Sequence, residues 1–157
     1  MINNKRLKCE ILLLDDEHPF ILKSKILFLR SGWKCRFNGV KTSAELLELY
    51  KSIKIEEISV VFCDYNLIGD SKNGVDVGYE INFRLGNGVD LYVISTSDGQ
   101  LPYRGKIEEF KGLTELEAAK RAGFNGWVNK SQLRLEENLK LVKLKVESKN
   151  KEFIYFE

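Results

Sequence analysis

The chain has 157 residues, of which 43% are hydrophobic and 31% are charged, and its formal net charge is +2. This length predicts one domain with a substantial core, and the composition is that of an ordinary globular protein. The near balance of charge gives no indication of a nucleic acid or an anionic membrane as a partner. The polar, basic first residues exclude a secretory signal, and no apolar run is long enough to span a membrane, so we expect a cytoplasmic protein.

The three cysteines point to the same compartment. Cys9, Cys35 and Cys63 are odd in number, widely spaced and mostly placed within apolar runs. This pattern predicts reduced core cysteines of a cytosolic protein, and it argues against a disulfide framework or a zinc site.

Apolar runs alternate with segments of helical periodicity along the chain. Runs rich in β-branched and aromatic residues that end at turn formers predict buried parallel strands. Thr42 predicts the N-cap of one helix, and Thr114 with Glu117 forms a capping box at the start of another. The predicted strands are 9–14, 33–37, 58–63, 89–94 and 125–128, and the predicted helices begin near residues 19, 43, 75, 115 and 132.

This alternation predicts an α/β fold: a doubly wound, five-stranded parallel sheet with helices on both faces. We assign residues 1–148 to this single domain and residues 149–157 to an aromatic tail that can dock on the domain, pair as a strand or contact a partner. We expect no output domain after this tail.

Polar residues follow several of the predicted strands at the point where each strand ends. Asp15 and Asp16 follow the first strand, Asp64 the third, Ser95 the fourth and Lys130 the fifth. Because the carboxyl ends of parallel strands share one edge of a sheet, these side chains can converge on one site.

The chemistry of this set is that of phosphoryl transfer to a carboxylate. Carboxylates can hold Mg²⁺, one carboxylate can serve as the nucleophile, and a hydroxyl and an ammonium can stabilise the transferred oxygens. No strong base is needed, because a carboxylate is already ionised at neutral pH.

The sequence resembles the receiver domain of two-component response regulators, the CheY-like superfamily, over about residues 9–147. Four stretches carry the resemblance, and each closes a predicted strand. They are Ile11-Leu12-Leu13-Leu14-Asp15-Asp16-Glu17, Val60-Val61-Phe62-Cys63-Asp64-Tyr65-Asn66, Val93-Ile94-Ser95-Thr96 and Ala122-Gly123-Phe124-Asn125-Gly126-Trp127-Val128-Asn129-Lys130.

The resemblance implies a role for each matching residue. Asp64 is the expected phosphoacceptor, and Lys130 is expected to pair with a phosphate oxygen. Ser95 and Trp127 take the switch positions that report phosphorylation. The expected Mg²⁺ ligands are Asp15, Asp16, Asp64 and the backbone carbonyl of Asn66.

The sequence departs from the family pattern in four places, one of which is a turn from Asp64 to Gly74 that is longer than typical. Ser131 replaces the usual proline after the lysine, and because a non-proline cis bond costs about 2.5–4 kcal/mol, we expect a trans bond there. Thr96 replaces a small residue after the switch hydroxyl, so its bulk predicts slow turnover. The segment 97–113 is expanded beside the switch surface.

The family relation implies a histidine kinase or histidine phosphotransfer protein as phosphodonor, a downstream protein target and a homodimer through the last helix, without direct nucleic-acid or membrane binding. Such a receiver catalyses only its own Mg²⁺-dependent phosphorylation and dephosphorylation. One alternative is a pseudo-receiver that binds proteins independently of phosphorylation. Another is a haloacid-dehalogenase-like phosphatase, against which Asn66 argues, because that class has a second Asp at this position.

Overall fold

The computed structural model describes residues 9–85, 88–131 and 133–157 and has the predicted α/β architecture. Within these residues six parallel strands form one sheet in the order β2-β1-β3-β4-β5-β6. The strands are β1 Glu10–Leu14, β2 Arg36–Val40, β3 Ile58–Asp64, β4 Leu91–Ser95, β5 Gly126–Asn129 and β6 Ile154–Phe156. The helices are α1 His18–Arg30, α2 Ser43–Ser52, α3 Gly74–Glu80, α4 Glu115–Arg121 and α5 Leu135–Glu147.

Helices cover both faces of the sheet, and the four interior strands β1, β3, β4 and β5 lie largely buried between them. One hydrophobic cluster joins α2, α3 and α4 to the sheet, and a second joins α1 and α5 to its other face. Strands that are buried on both faces must be apolar throughout, which explains the continuous runs at 11–14, 60–63 and 91–94.

Side-chain caps mark where α2, α3 and α4 begin. The hydroxyl of Thr42 accepts the amide of Glu45 at 3.1 Å, and Thr114 and Glu117 form both bonds of the predicted capping box. A second capping box, between Asn73 and Asp76, starts α3. Each cap satisfies amides that the first helical turn leaves without a partner.

The predicted boundaries differ from the structure in several places, and the fourth strand, for example, begins at Leu91 rather than at residue 89. The second strand begins at Arg36, because Trp33 is buried and donates its indole N–H to the carbonyl of Leu139 in α5 at 3.1 Å. The helix predicted over 75–85 is α-helical only to Glu80 and continues as a π-helical turn to Leu85. The last helix begins at Leu135, and the predicted start at Gln132 lies outside the described residues.

The prediction of reduced cysteines is wrong for two of the three. Cys9 and Cys35 form a disulfide with a Cα–Cα distance of 4.6 Å, whereas Cys63 is free and buried. Hydrophobic patterning places the two residues on separate strands, but it does not reveal that they are neighbours across the parallel β1–β2 pair. The ladder between Glu10 and Arg36 brings the preceding residues together.

The expanded segment 97–113 folds onto α3. Tyr103 donates its hydroxyl to the buried carboxylate of Asp76, which also accepts the amide of Lys106 at 3.1 Å. A 3₁₀ turn at Glu108–Phe110 buries Phe110 against Tyr103. Polar and aromatic contacts therefore hold the insertion against the domain.

The aromatic tail forms the sixth strand, which resolves the three alternatives left open by the sequence. Residues Ile154–Phe156 pair in parallel with β5, and Phe156 is buried against the ring of Tyr92. The side chain of Asn138 donates to the carbonyl of Glu157 at 2.6 Å. The sheet thus has one strand more than predicted. None of the helices in the described ranges has the length and apolarity to cross a membrane.

The buried ring of Phe156 yields a stability prediction. Truncating a buried Phe to Ala leaves a cavity, so Phe156→Ala should lower the free energy of unfolding by about 3 kcal/mol. Glu152→Ala, at an exposed position in the same tail, should change it by less than about 0.5 kcal/mol. Denaturant unfolding of both variants measures the difference, and equal effects would contradict a packed sixth strand.

Candidate functional site: an acidic cluster at the carboxyl edge of the sheet

Three aspartates meet where β1 and β3 end. Asp15 and Asp16 directly follow β1, and Asp64 is the last residue of β3, which pairs with β1. One carboxylate oxygen from each of the three lies within 4.8 Å of the others. Asp15 and Asp64 are buried, and Asp16 is half-buried. The predicted convergence of these residues is confirmed by the geometry.

Lys130 joins the cluster from the end of β5. Its ammonium lies 2.5 Å from an oxygen of Asp15 and 3.3 Å from an oxygen of Asp64. The same ammonium stands 4.4 Å from the ring centre of Phe20 in α1, which adds a cation–π contact. The Lys130–Ser131 peptide is trans, as the serine predicts, and the lysine still reaches both carboxylates.

The cluster carries more negative than positive charge, and burial makes that charge unfavourable. Burial, together with the neighbouring charges of Asp15 and Asp16, raises the pKa of Asp64 to about 7, although Lys130 opposes the shift. Burial also raises the pKa of Asp15 above its ordinary value, again against the effect of Lys130. A single lysine therefore leaves the three acids incompletely neutralised.

A cleft of about 350 Å³ gives access to the cluster. Asp64 and Lys130 lie in its wall, with Asn66 and Thr96 beside them. Gly74 lets α3 start directly against the backbone carbonyl of Asp64, where a Cβ would collide with that carbonyl. The fixed turn after β3 thereby holds Asn66 next to the acids.

The predicted switch residues form a connected hydrogen-bond route. Ser95 is buried, and its hydroxyl accepts the amide of Ser97 at 3.1 Å. The carbonyl of Ser97 accepts the indole N–H of Trp127 at 2.9 Å, and the ring of Trp127 packs 5.9 Å from that of Tyr65. Trp127 in turn pairs with Tyr155 of β6. Hydrogen bonds thus connect Ser95 through Ser97 to Trp127, which pairs with the tail.

Sequence reasoning missed two residues of this region. Phe20 lies in the first turn of α1, only a few residues along the chain after the end of β1. This short separation in sequence could have identified it as a neighbour of the acids. Ser97 lies two residues after Ser95, and its role depends on the course of the insertion, for which the sequence offers no signal.

The excess charge predicts that the site destabilises the metal-free protein. When folding raises the pKa of an acid, the folded state loses stability as the pH rises above the ordinary pKa of that acid. The loss is complete above the raised pKa, which is about 7 for Asp64. Asp64→Asn should therefore raise Tm in the presence of a chelator, by more above that pH than below it. Thermal unfolding across pH tests this sign.

Asp70 is the matched control. Although its partial burial opposes the shift, hydrogen bonds from Ser43 and Lys72 hold the pKa of Asp70 below its ordinary value. It accepts both the amide and the hydroxyl of Ser43 at 2.7 Å. Asp70→Asn should lower Tm under the same conditions, and a stabilising effect in both variants, or in neither, would contradict this reading of the cluster.

Comparison with known proteins supports the fold. No protein-family model matches the sequence, and no curated protein matches it. Solved structures do match. NtrX from Brucella abortus in complex with ADP aligns with a TM-score of 0.67 and 17% identity over 90% of this chain, which spans 27% of the NtrX chain.

Two isolated receiver domains align over nearly their whole lengths. The receiver domain of NtrX from Brucella abortus has a TM-score of 0.63 and 20% identity, covering 88% of this chain and 98% of that one. A CheY-like receiver domain protein from Methanospirillum hungatei JF-1 has a TM-score of 0.64 and 15% identity, covering 92% and 98%. Together with the strand order and the acidic edge, these alignments show that the chain has the CheY-like receiver fold of response regulators.

Proposed function

We propose that the protein is a phosphoacceptor receiver of a two-component phosphorelay, which takes a phosphoryl group on Asp64. The observation that carries the proposal is the convergence of Asp15, Asp16 and Asp64 within 4.8 Å, with Lys130 between two of them. A structural salt bridge needs one acid for one lysine. Three acids that share one lysine at an open cleft suit the binding of a further cation and of a phosphoryl group.

The residues present fit a magnesium ion. Hard carboxylate and carbonyl oxygens are the ligands that Mg²⁺ prefers, and its remaining positions are usually filled by water, for which the open cleft leaves room. Asp15, Asp16, Asp64 and the backbone carbonyl of Asn66 would hold it. When bound, Mg²⁺ would neutralise the charge of the acids and of the transferred oxygens.

The protein groups then divide the chemistry. One oxygen of Asp64 attacks phosphorus in line, so that a new O–P bond forms while the P–N bond of a phosphohistidine breaks and the histidine leaves. The ammonium of Lys130 moves from Asp15 to a phosphoryl oxygen, and the hydroxyl of Ser95 donates to another. Thr96 stands in the cleft wall, where its side chain would restrict the approaching donor or water and slow the turnover.

The most direct test uses acetyl phosphate as a small phosphodonor. With Mg²⁺, the intact mass should increase by one phosphoryl group, and neither Asp64→Ala nor chelated wild-type protein should show the gain. Lys130→Ala should reduce the extent of labelling because the transferred oxygens lose their cation. Mass spectrometry of the intact protein gives the measurement.

Three outcomes would contradict the proposal. Labelling that persists in Asp64→Ala would place the acceptor elsewhere. The absence of labelling, together with the absence of any Mg²⁺-dependent change in tryptophan fluorescence, would favour the pseudo-receiver, a module that binds partners without phosphorylation. Hydrolysis of small phosphate esters in solution would instead favour the phosphatase reading.

The output is proposed to pass through Trp127 to the tail. Once the hydroxyl of Ser95 turns to a phosphoryl group, the amide of Ser97 loses its acceptor. The carbonyl of Ser97 holds the indole of Trp127, and Trp127 pairs with Tyr155, so a shift of this loop would loosen β6. Loosening β6 would expose the edge of β5, which can accept a strand from a downstream protein.

This route predicts faster amide exchange in the tail after phosphorylation. The amides of Ile154–Phe156 should exchange faster in phosphorylated than in unphosphorylated protein, as measured by hydrogen–deuterium exchange. Trp127→Phe, which removes the indole hydrogen bond to Ser97 together with part of the buried ring, should be phosphorylated equally and should lose this acceleration.

Trp33→Phe is the matched control, because it removes an indole hydrogen bond to Leu139 on the other face of the sheet. It should retain the acceleration. Equal tail exchange in phosphorylated and unphosphorylated wild-type protein would refute this output route while leaving the phosphoacceptor proposal intact.

The partners follow from the same proposal. The phosphodonor would be a histidine kinase or a histidine phosphotransfer protein, and the receiver of the signal would be a downstream protein. A homodimer through the last helix stays a prediction, and Leu141 and Leu144 are exposed on α5, where such a contact would form.

A further inference from the structure

At the amino end of the sheet, away from the acidic edge, Cys9 and Cys35 stand side by side. Each residue immediately precedes a strand of the parallel β1–β2 pair, and the amide of Arg36 donates to the carbonyl of Cys9 at 2.8 Å. Their Cα atoms are 4.6 Å apart, which lies within the range that a disulfide requires. The two sulfurs can therefore bond without displacement of either strand.

The pair is open to solution. Both residues are half-buried, and both line a cleft of about 410 Å³ that has Trp33 in its wall. The third cysteine, Cys63, is fully buried, and burial raises its pKa far above the ordinary value. Because the thiolate is the reacting form, Cys63 is an inert internal reference within the same chain.

The surroundings of the pair favour thiol chemistry. Lys34 lines the cleft, and a cationic side chain stabilises a nearby thiolate. Lys143 also lines it but pairs with Glu147 at 2.8 Å. The hydroxyl of Ser59 lies 2.8 Å from the sulfur of Cys9. Ser59 occupies this position because the β1–β3 register shifts between Glu10 and Ile11.

We propose that Cys9 and Cys35 form a reversible dithiol–disulfide site that reacts with small disulfides such as oxidised glutathione. One cysteine thiolate attacks the glutathione disulfide, forming a mixed disulfide and releasing one glutathione thiolate. The second cysteine thiolate attacks the protein sulfur of that mixed disulfide and releases the other. The two cysteines lose two electrons and two protons, and two molecules of reduced glutathione form.

Oxidation would covalently link the residue that precedes β1 to the residue that follows α1 and precedes β2. The bridge closes a segment with a sequence separation of 26 that contains the whole of this helix. The chain just before Cys35 is already tied to α5 by the bond from Trp33 to Leu139. A covalent link here restricts the unfolded chain and stabilises the β1–α1–β2 unit.

The experiment equilibrates the full chain in reduced and then oxidised glutathione, followed by alkylation and peptide mass mapping. In reduced buffer, Cys9 and Cys35 should be alkylated and Cys63 should not. In oxidised buffer, the protein should lose two hydrogens, resist alkylation at both sites, gain thermal stability and revert fully on return to reduced glutathione.

Cys35→Ser is the variant control, and it should carry one glutathione on Cys9 and show no gain in Tm. If that variant does not fold, the alkylation pattern of the wild type, with Cys63 as internal reference, decides the question. Separate glutathione adducts on the two cysteines, or a bridge that reduced glutathione cannot reopen, would overturn the proposal. Neither result depends on phosphorylation of Asp64.

Discussion

The contact on which the site depends is that of Lys130 with two buried acids at once. Its ammonium lies 2.5 Å from Asp15 and 3.3 Å from Asp64. Moving charges out of water costs free energy unless each charge is paired. One lysine shared among three acids therefore leaves part of the negative charge of the cluster unneutralised. Burial and, after it, the charges of Asp15 and Asp16 raise the pKa of Asp64 to about 7, although Lys130 opposes the shift. The remaining negative charge gives the cluster a physical reason to bind a divalent cation and to exchange its lysine contact for a phosphoryl oxygen.

The parallel sheet places the acidic cluster, the cysteine pair and the tail in three different regions of the molecule. The acids and the lysine stand at the carboxyl ends of the strands, while the cysteine pair stands at the amino end of β1 and β2. The tail occupies the outer side of β5, which would otherwise be an exposed strand edge. Because Trp127 is buried between the acidic edge and the tail, the output proposed for phosphorylation needs only a short path through one loop.

The sequence predicted the features that local chemistry determines. Asp15, Asp64 and Lys130 were placed correctly because each ends an apolar run, and in a parallel sheet such ends meet at one edge. The caps at Thr42 and Thr114 follow from hydrogen bonds within one turn.

The features that the sequence could not supply all depend on contacts between distant segments. The tail becomes a strand only because β5 offers it an edge, and Cys9 meets Cys35 only through the pairing of β1 with β2.

The central claim, that Asp64 accepts a phosphoryl group beside Mg²⁺, is tested most directly by a crystal structure with Mg²⁺ and beryllium fluoride, a mimic of the aspartyl phosphate. We predict that beryllium is bonded to one oxygen of Asp64 and that Lys130 has moved from Asp15 to a fluorine. The cation should be held by Asp15, Asp16, the other oxygen of Asp64 and the carbonyl of Asn66. Unmodified Asp64, with Lys130 still on Asp15 at saturating ligand, would contradict the account.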